Sequence, residues 1–374
     1  MWRRRPIPSG SFITDRRIER VLIAKLTSLG DVIHALPAAA RLKQTYPRLR
    51  LFWVVEDRCA AILESHPLLE RVIVYPRRRI KTLWGEKRWV AAWREVRKLQ
   101  RALSGLRADL SLDLQGLAKS GLMVLMARAP HRLGCTGLKE FSYLLSRPAP
   151  EGQGLHAVER NLKVAELLGC PAGPPEYALE LRPEEREWAA AFLEGRGLQQ
   201  EVPLIGLQLG ASFPQKRWPP QHWRELIRLL SRRGGYGLLF FGDEQDRKFW
   251  AAQGLPEGSG IDTLGQLSLR HLMALQERCR LLVGADTGPL HLAVALGLSV
   301  VGLYGPDDPR FTGPYGAAHR IHYKSLSCSP CYKNPTCQGR YDCLQAIEPR
   351  EVLESVEALL VKDACASRRE KRPH

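Results

Sequence analysis

The sequence lacks any apolar run long enough to cross a membrane. A transmembrane helix needs roughly 20 consecutive apolar residues, and polar or charged residues interrupt every apolar stretch before that length. The N-terminal segment 1–20 contains arginines, but polar residues and two prolines follow them where a signal peptide would have its apolar segment. We therefore expect neither a membrane-spanning helix nor export.

Several common motifs are also missing. The chain has no G-x-G-x-x-G, which argues against a dinucleotide site, and no G-x-x-x-x-G-K-[ST], which argues against P-loop chemistry. It has neither an H-E-x-x-H zinc motif nor a G-x-S-x-G nucleophile elbow. No helix-turn-helix, RNP-type strand or zinc-finger pattern is present, and nothing repeats at a short period.

Acidic residues are too few to balance the basic ones. There are 56 Lys and Arg against 39 Asp and Glu, for a net charge of +17. Such an excess favours an anionic partner, either nucleic acid, an anionic membrane face or a phosphorylated substrate. Part of it lies at the two termini, which we interpret as solvated basic tails. Another part lies in a basic segment from Arg77 to Lys81.

Nine cysteines would suggest disulfides in a small secreted chain, but this chain is long and shows no export signal, so reduced thiols are expected. Five of them are scattered. The other four form the pattern Cys328-x2-Cys331-x5-Cys337-x5-Cys343. Four thiolates at short spacings can hold a structural zinc ion or an iron-sulfur cluster. Pro330 and Pro335 indicate an irregular loop there, and free thiols or a disulfide within the loop are the alternatives.

Alternating strands and helices predict the fold. The 374 residues are too many for one ordinary core and fit two domains. Predicted strands lie at 21–24, 51–55, 71–75, 110–114, 204–209, 237–241, 281–284 and 299–304. Predicted helices lie at 58–64, 89–103, 157–168, 221–232, 269–278, 289–296 and 348–362. The basic segment 76–88 is predicted to be a loop.

Two successive runs of this alternation indicate an α/β protein with two parallel, doubly wound sheets and a ligand cleft at the carboxyl ends of their strands. The predicted domain organisation is a basic tail at 1–20, an N-terminal domain at 21–169, a Pro-rich linker at 170–178, a C-terminal domain at 179–347, a terminal helix at 348–362 and a basic tail at 363–374.

The stretch Val21 to Pro37 has a strand, a tight turn and the start of a helix, with Asp31 in the turn. Open α/β sheets place ligands at such strand-to-helix turns. Asp31 is therefore either a catalytic acid or a helix N-cap, since Asp is a preferred capping residue.

The second half has two candidate sites for a phosphate-containing ligand. The stretch 206–218 places Gly210, Ala211 and Ser212 after a strand, where backbone N–H groups approach an anion closely, and adds Lys216 as a point charge. The stretch 284–291, GADTGPLH, places Asp286, Thr287, Gly288 and His291 at the start of a helix, whose N-terminus favours anions. The alternatives are capping for Asp286 and Thr287, and a buried structural imidazole for His291. The coincidence of both turns favours a diphosphate ligand.

Five motifs in this order resemble glycosyltransferase family 9, the lipopolysaccharide heptosyltransferases. They are KLTSLGDVIHALP at 25–37, DLQGLAKS at 113–120, HAVERN at 156–161, QKRWP at 215–219, and GADTGPLHLAVALG followed by LYGPDDP at 284–309. The ending His-Ala-Leu-Pro is closer to heptosyltransferase I than to heptosyltransferase II. The cysteine segment departs from heptosyltransferase I, and Lys139 stands where the family would have an arginine.

The resemblance implies a GT-B fold made of two Rossmann-like domains that face a cleft. It implies inverting transfer of heptose from ADP-L-glycero-D-manno-heptose to the Kdo or heptose of the lipopolysaccharide inner core, with no metal required for catalysis. Asp31 would be the general base, and Lys216 would neutralise the leaving diphosphate. The other implied donor-binding residues are Gly210, Ser212, Glu244, Asp286, Thr287, Gly288 and His291. The implied acceptor-binding residues are Arg77, Arg79, Gln115 and Lys119.

Kdo carboxylates and lipid A phosphates would also account for the positive charge. We therefore expect a cytoplasmic protein, peripheral on the inner face of the cytoplasmic membrane, with a Kdo-lipid A or core acceptor and no nucleic-acid partner. Three alternatives remain: a family 9 transferase with another sugar or acceptor, a noncatalytic nucleotide-sugar binding protein, and a basic nucleic-acid binding protein.

Overall fold

The structure is a computed structural model that describes residues 12–370 except 136, 150–151, 199–201, 256–258 and 333, and describes no side chains in 362–370. Parts of both predicted basic tails, 1–11 and 371–374, lie outside the described residues. The chain divides into two compact units, Met1–Glu180 and Leu181–His374. Each unit is an α/β structure built on one parallel six-stranded sheet.

The sheet of the first unit has the strand order β3-β2-β1-β4-β5-β6. Its strands are β1 Arg20–Ala24, β2 Arg50–Glu56, β3 Leu69–Tyr75, β4 Leu110–Asp113, β5 His131–Gly134 and β6 Arg147–Pro148. Its helices are α1 Phe12–Asp15, α2 Leu29–Thr45, α3 Arg77–Gly85, α4 Trp89–Ser104, α5 Ala118–Ala127 and α6 Ala157–Leu167, with 3-10 turns at Ala60–Leu63 and Ser142–Leu144.

The central strand β1 explains why the sequence opens with a continuous apolar run. Val21 pairs in parallel with Leu51 on one side and with Leu110 on the other. Val21 to Ala24 are all buried, because a parallel sheet is covered on both faces. Leu22 and Ala24 pack in one cluster with residues of α4 and α5, and α2 packs along α6.

The sheet of the second unit has the order β12-β11-β10-β7-β8-β9. Its strands are β7 Leu204–Gln208, β8 Gly237–Phe241, β9 Ile261–Asp262, β10 Cys279–Ala285, β11 Ser299–Tyr304 and β12 Arg320–Tyr323. Its helices are α7 Pro183–Glu194, α8 Pro220–Arg233, α9 Glu244–Gln253, α10 Leu269–Glu277, α11 Gly288–Ala295, α12 Pro309–Thr312, α13 Asp342–Gln345 and α14 Pro349–Glu370, with a 3-10 turn at Pro214–Lys216.

The core of the second unit is separate from that of the first. Buried residues of α8 and α14, among them Trp223, Leu226 and Val356, pack against β7, β8, β10 and β11. No helix among the residues that the structure describes has the length and apolar character needed to span a bilayer.

The predicted strands are confirmed to within two residues, as are most of the predicted helices. The predicted loop at 76–88 is wrong, because Arg77 to Gly85 form α3. Ile80 and Leu83, three residues apart, are buried on one face of α3 while the arginines and lysine stay exposed. Helix 348–362 is also longer than predicted and extends to Glu370.

Candidate active site

Asp31 lies in the first turn of α2, at the carboxyl edge of the first sheet. Its Oδ2 accepts hydrogen bonds from the backbone N–H of Ser28 at 2.8 Å and from the Ser28 hydroxyl at 2.9 Å. Its Oδ1 lies 3.9 Å from Nζ of Lys25, and the side chain is 40% exposed. The carboxylate is thus fixed through one oxygen while the group remains accessible.

Asp31 is not the N-cap residue of α2, but its side chain does take part in capping that helix. The N-cap residue of α2 is Ser28, and Asp31 is the third residue of the helix. Its carboxylate bonds back to the N-cap N–H, which is the acidic half of a capping box. The structural and chemical interpretations of Asp31 are therefore compatible, because the cap orients the carboxylate.

Gln115 and Lys25 hold the turn that precedes Asp31. Oε1 of Gln115 accepts hydrogen bonds from the backbone N–H groups of Leu26 and Thr27, both at 3.1 Å. The buried Lys25 donates to the carbonyl of Leu114 at 2.7 Å. Gln115, predicted to bind the acceptor, therefore uses its side-chain oxygen to join the ends of β1 and β4.

The buried carboxylate of Glu56 forms ion pairs with two of the predicted acceptor residues. Lys119 donates to Oε1 of Glu56 at 2.7 Å and to the Thr27 hydroxyl at 2.8 Å. Arg77 lies 3.6 Å from Oε2 of the same carboxylate, whose side chain is almost fully buried. Arg79 lies apart from them and pairs with Glu95 of α4 at 3.0 Å. Glu56 is not among the residues predicted from the sequence, although an acid at the end of the apolar strand LFWVVE is a usable signal.

Two residues predicted for the second unit, Lys216 and His291, contact a third, Asp286. Its Oδ2 accepts from Nζ of Lys216 at 2.5 Å, and its Oδ1 lies 3.1 Å from Nε2 of His291. The hydroxyl of Tyr304 donates to Oδ1 at 3.2 Å. Lys216 also pairs with Asp307. Asp286 is thus the centre of a charged cluster, and its carboxylate binds Lys216, His291 and Tyr304 instead of capping α11.

The electrostatics of this cluster depend on how the buried charges compensate one another. Burial acts to raise the pKa of Asp286, but the His291 hydrogen bond and the Lys216 charge outweigh it and hold that pKa well below its usual range. Burial also opposes the charged form of Lys216, yet Asp286 and Asp307 raise its pKa above the usual value. The pKa of Asp307 is raised by burial and by its hydrogen bond with Asp286. The cluster therefore favours the charged forms of Lys216 and Asp286 and makes the carboxyl group of Asp307 easier to protonate.

The glycine at 210 is required by a close neighbour. A Cβ atom on Gly210 would lie 1.7 Å from Oδ2 of Asp246. Arg217 braces the same turn, with Nε donating to the Ala211 carbonyl and an amino group donating to Asp246, both at 3.1 Å. Ser212 is exposed in the turn. The turn thus exposes the Ser212 side chain beside the ion pair of Arg217 with Asp246.

Thr287, Gly288 and Glu244 occupy the other predicted positions. Thr287 is the residue before α11 and Gly288 is its first residue. Glu244 is the first residue of α9 and follows the N-cap of that helix, Asp243, in the turn after β8. Its side chain is half-exposed and pairs with Arg247 at 2.8 Å. In a parallel sheet these turns all lie at the carboxyl edge of the second unit.

The four cysteines lie in a segment without regular structure between β12 and α13, apart from Cys343 within α13. Burial, and then the neighbouring thiols, raise the pKa values of Cys331 and Cys343, the latter to about 11. Within the described residues, no group of three or more His, Cys, Asp or Glu side chains is placed to hold a metal ion. Metal at these cysteines stays a prediction.

The two-sheet architecture and its strand-end sites define the class of protein. A glycosyl transferase family 9 structure from Veillonella parvula matches with a TM-score of 0.78 and 25% identity, covering 92% of this chain and 98% of that one. An E. coli heptosyltransferase solved with ADP-2-deoxy-2-fluoro heptose matches with a TM-score of 0.71 and 27% identity, covering 91% and 99%. The fold is that of the GT-B glycosyltransferases.

The sequence comparisons fix the family. The model for glycosyltransferase family 9 (heptosyltransferase) matches residues 96–342. Lipopolysaccharide heptosyltransferase 1 of Pseudomonas aeruginosa is 33% identical over 370 residues, covering 91% of this chain and 98% of that protein. The chain belongs to glycosyltransferase family 9 and is a glycosyltransferase enzyme.

Proposed function

We propose that this enzyme transfers heptose from ADP-L-glycero-D-manno-heptose to the Kdo or heptose of the lipopolysaccharide inner core, with inversion at the anomeric carbon. The names of its relatives support the heptose and the lipopolysaccharide, and the ADP-2-deoxy-2-fluoro heptose in the E. coli structure supports the donor class. The observation that carries the mechanism is the presentation of Asp31, which is held by Ser28 yet accessible.

In the proposed reaction, the acceptor hydroxyl oxygen forms a bond to the anomeric carbon while the bond from that carbon to the diphosphate oxygen breaks. The hydroxyl proton passes to the carboxylate of Asp31, and the electron pair of the broken bond leaves with ADP. A general base of this kind contributes about 10²- to 10⁴-fold to the rate.

Charge that develops on the departing diphosphate requires positive groups. Lys216 and the N-terminus of α11 supply them, and Gly210, Ser212, Thr287, Gly288 and His291 complete the proposed donor site. Glu244 is the proposed contact to the ribose. No metal ion is included in the proposed mechanism.

On the acceptor side, Arg77, Arg79 and Lys119 are the cations proposed for Kdo carboxylates and lipid A phosphates. Gln115 supports the turn next to Asp31. The proposal places the enzyme in the cytoplasm, at the inner face of the cytoplasmic membrane, without a nucleic-acid partner.

The experiment is ADP release from ADP-heptose with Kdo2-lipid A, compared between the wild type and Asp31→Asn. Because Asn keeps the shape but cannot take the proton, we expect kcat to fall by about 10²- to 10⁴-fold. Proton NMR of the product then reports whether the anomeric configuration is inverted.

Asp109→Asn is the matched control. Asp109 also accepts two backbone N–H bonds, from Glu19 and Arg20, but it lies at the amino end of β4. Its variant should keep the wild-type kcat. Wild-type turnover by Asp31→Asn would refute the mechanism, and turnover with only another ADP-sugar would reassign the donor.

A further inference from the structure

An unusually exposed group of tryptophans lies where α3 leads into α4. Trp84 is 47%, Trp89 53% and Trp93 55% exposed, and Val90 beside them is 67% exposed. Rings of Trp84 and Trp89 pack edge to face with centroids 4.8 Å apart. We call Trp84, Trp89, Val90 and Trp93 the tryptophan surface. Such rings are costly to leave in water unless something covers them.

The charge around this surface is strongly positive. Residues 77–98 contain nine Lys and Arg against two Glu, a net charge of +7. One of these cations, Arg97, lies over the ring of Trp93 at 5.2 Å from its centroid. Indole rings beside arginine and lysine are the side chains that proteins place at the interface between lipid headgroups and acyl chains. The partner that fits both features is an anionic lipid bilayer.

The tryptophan surface lies toward the same edge of the first sheet as Asp31. Helix α3 follows the carboxyl end of β3, and α4 begins on that side, since its C-terminal end leads to the start of β4. A second exposed apolar group, Phe141, Tyr143 and Leu144, follows the carboxyl end of β5. The Ser142 hydroxyl between them donates to the carbonyl of Gly116, just beyond β4, at 3.1 Å. Exposed apolar side chains thus flank the strand ends that hold Asp31 and Lys119.

We propose that the tryptophan surface docks on an anionic bilayer, with its indole rings in the interface and the basic residues of α3 and α4 over the headgroups. The proposal rests on the proposed function for its purpose, because a lipid-linked acceptor would then be met at the membrane surface on which the enzyme sits. The docking itself is inferred from the exposed rings and the local positive charge.

The test is flotation of the full chain with vesicles of phosphatidylethanolamine and phosphatidylglycerol, compared with vesicles of phosphatidylcholine alone. We expect the wild type to float with the anionic vesicles, and Trp89→Ala/Trp93→Ala to bind them at least tenfold more weakly. A blue shift of the tryptophan emission should accompany binding in the wild type and shrink in the double variant. An unchanged melting temperature shows that the variant is folded.

Phe311→Ala is the matched control, because Phe311 is also an exposed ring with an arginine, Arg310, over it, but lies in the second unit. It should float like the wild type. Equal flotation of wild type and double variant overturns the proposal, as does a wild type that ignores anionic vesicles. Self-association in solution that the double variant loses would assign the surface to a second copy instead.

Turnover of a water-soluble, deacylated acceptor separates this inference from the proposed function. The double variant should process that acceptor like the wild type while losing activity on vesicle-embedded acceptor. If the wild type turns over neither acceptor, the proposed function fails, and the flotation result still decides whether the surface docks on a bilayer.

Discussion

Lys216 forms ion pairs with two carboxylates, Asp286 and Asp307. With both ionised, the three groups carry a net charge of −1, which opposes an anionic donor. With Asp307 protonated, the net charge is zero and Lys216 is freer to meet a phosphate. Burial and the Asp286 hydrogen bond raise the pKa of Asp307. Asp307 is therefore the carboxylate of this cluster that takes up a proton most readily.

Donor binding should therefore weaken as pH rises through the raised pKa of Asp307, because deprotonation adds a negative charge beside the diphosphate. Asp307→Asn removes that charge at every pH. We expect the KM for the donor to rise as pH rises from the ordinary range of an Asp carboxyl group through the raised pKa of Asp307 in the wild type, and to stay flat in the variant, with about a tenfold lower KM in the variant above that pKa. Initial rates of ADP release over a pH series that begins at about pH 4 measure this.

The neighbouring acid supplies the control. Asp308 caps α12 by accepting the backbone N–H of Arg310 at 2.9 Å. Asp308→Asn should keep the wild-type pH dependence, since the carboxylate of Asp308 binds the N-terminus of α12. A wild-type pH profile in Asp307→Asn would show that another group sets donor affinity.

The positions of candidate site residues were predictable where a turn follows an apolar strand. This pattern indicated Asp31, Lys216, Asp286 and His291, because parallel sheets place ligands there. The same pattern could not separate Asp307 from Asp308, since adjacent acids in LYGPDDP become a lysine partner and a helix cap only through their different directions in space.

At the scale of elements, eight strands were predictable, whereas α3 and the strands β5, β6, β9 and β12 were not. The buried strands are uninterrupted apolar runs, which only a covered parallel sheet requires. In α3, arginines at the N-terminal end oppose the helix dipole, and only Ile80 and Leu83 mark its buried face. Tertiary contacts, including the ion pair of Arg77 with Glu56, stabilise a helix here that the local sequence pattern does not predict.

Glu56 should therefore stabilise α3 together with the end of β2. Glu56→Gln keeps the shape of the side chain but removes the charge that Lys119 and Arg77 face. We expect a loss of about 1–3 kcal/mol in the free energy of unfolding, because buried polar groups lose a charged partner. Urea denaturation measures the loss, and faster amide exchange in α3 would localise it.

Glu70→Gln serves as the comparison for that variant. Glu70 pairs with Arg50 at the surface of the same unit, where solvent screens the pair and its removal should have little measurable effect. Equal stability of Glu56→Gln and the wild type would mean that the cations of α3 do not depend on Glu56.

At the scale of the whole molecule, each unit has its own sheet and its own core. The alternation of strands and helices predicted two such sheets, whereas the two-residue strands β6 and β9 are too short for any sequence pattern and exist through pairing with β5 and β8. Two separate cores imply that a ligand stabilises first the unit whose side chains hold it.

ADP alone should therefore slow amide exchange in the second unit, at 209–217 and at the start of α11, and leave β1 and the start of α2 unchanged. At about 100 times its Kd, a ligand stabilises the state that binds it by about 2.7 kcal/mol, enough to slow exchange through local opening by about a hundredfold. Lys216→Met should abolish the protection, because the diphosphate loses its cation. Protection that appears in β1 and not around Lys216 would place the nucleotide in the first unit and overturn the donor assignment.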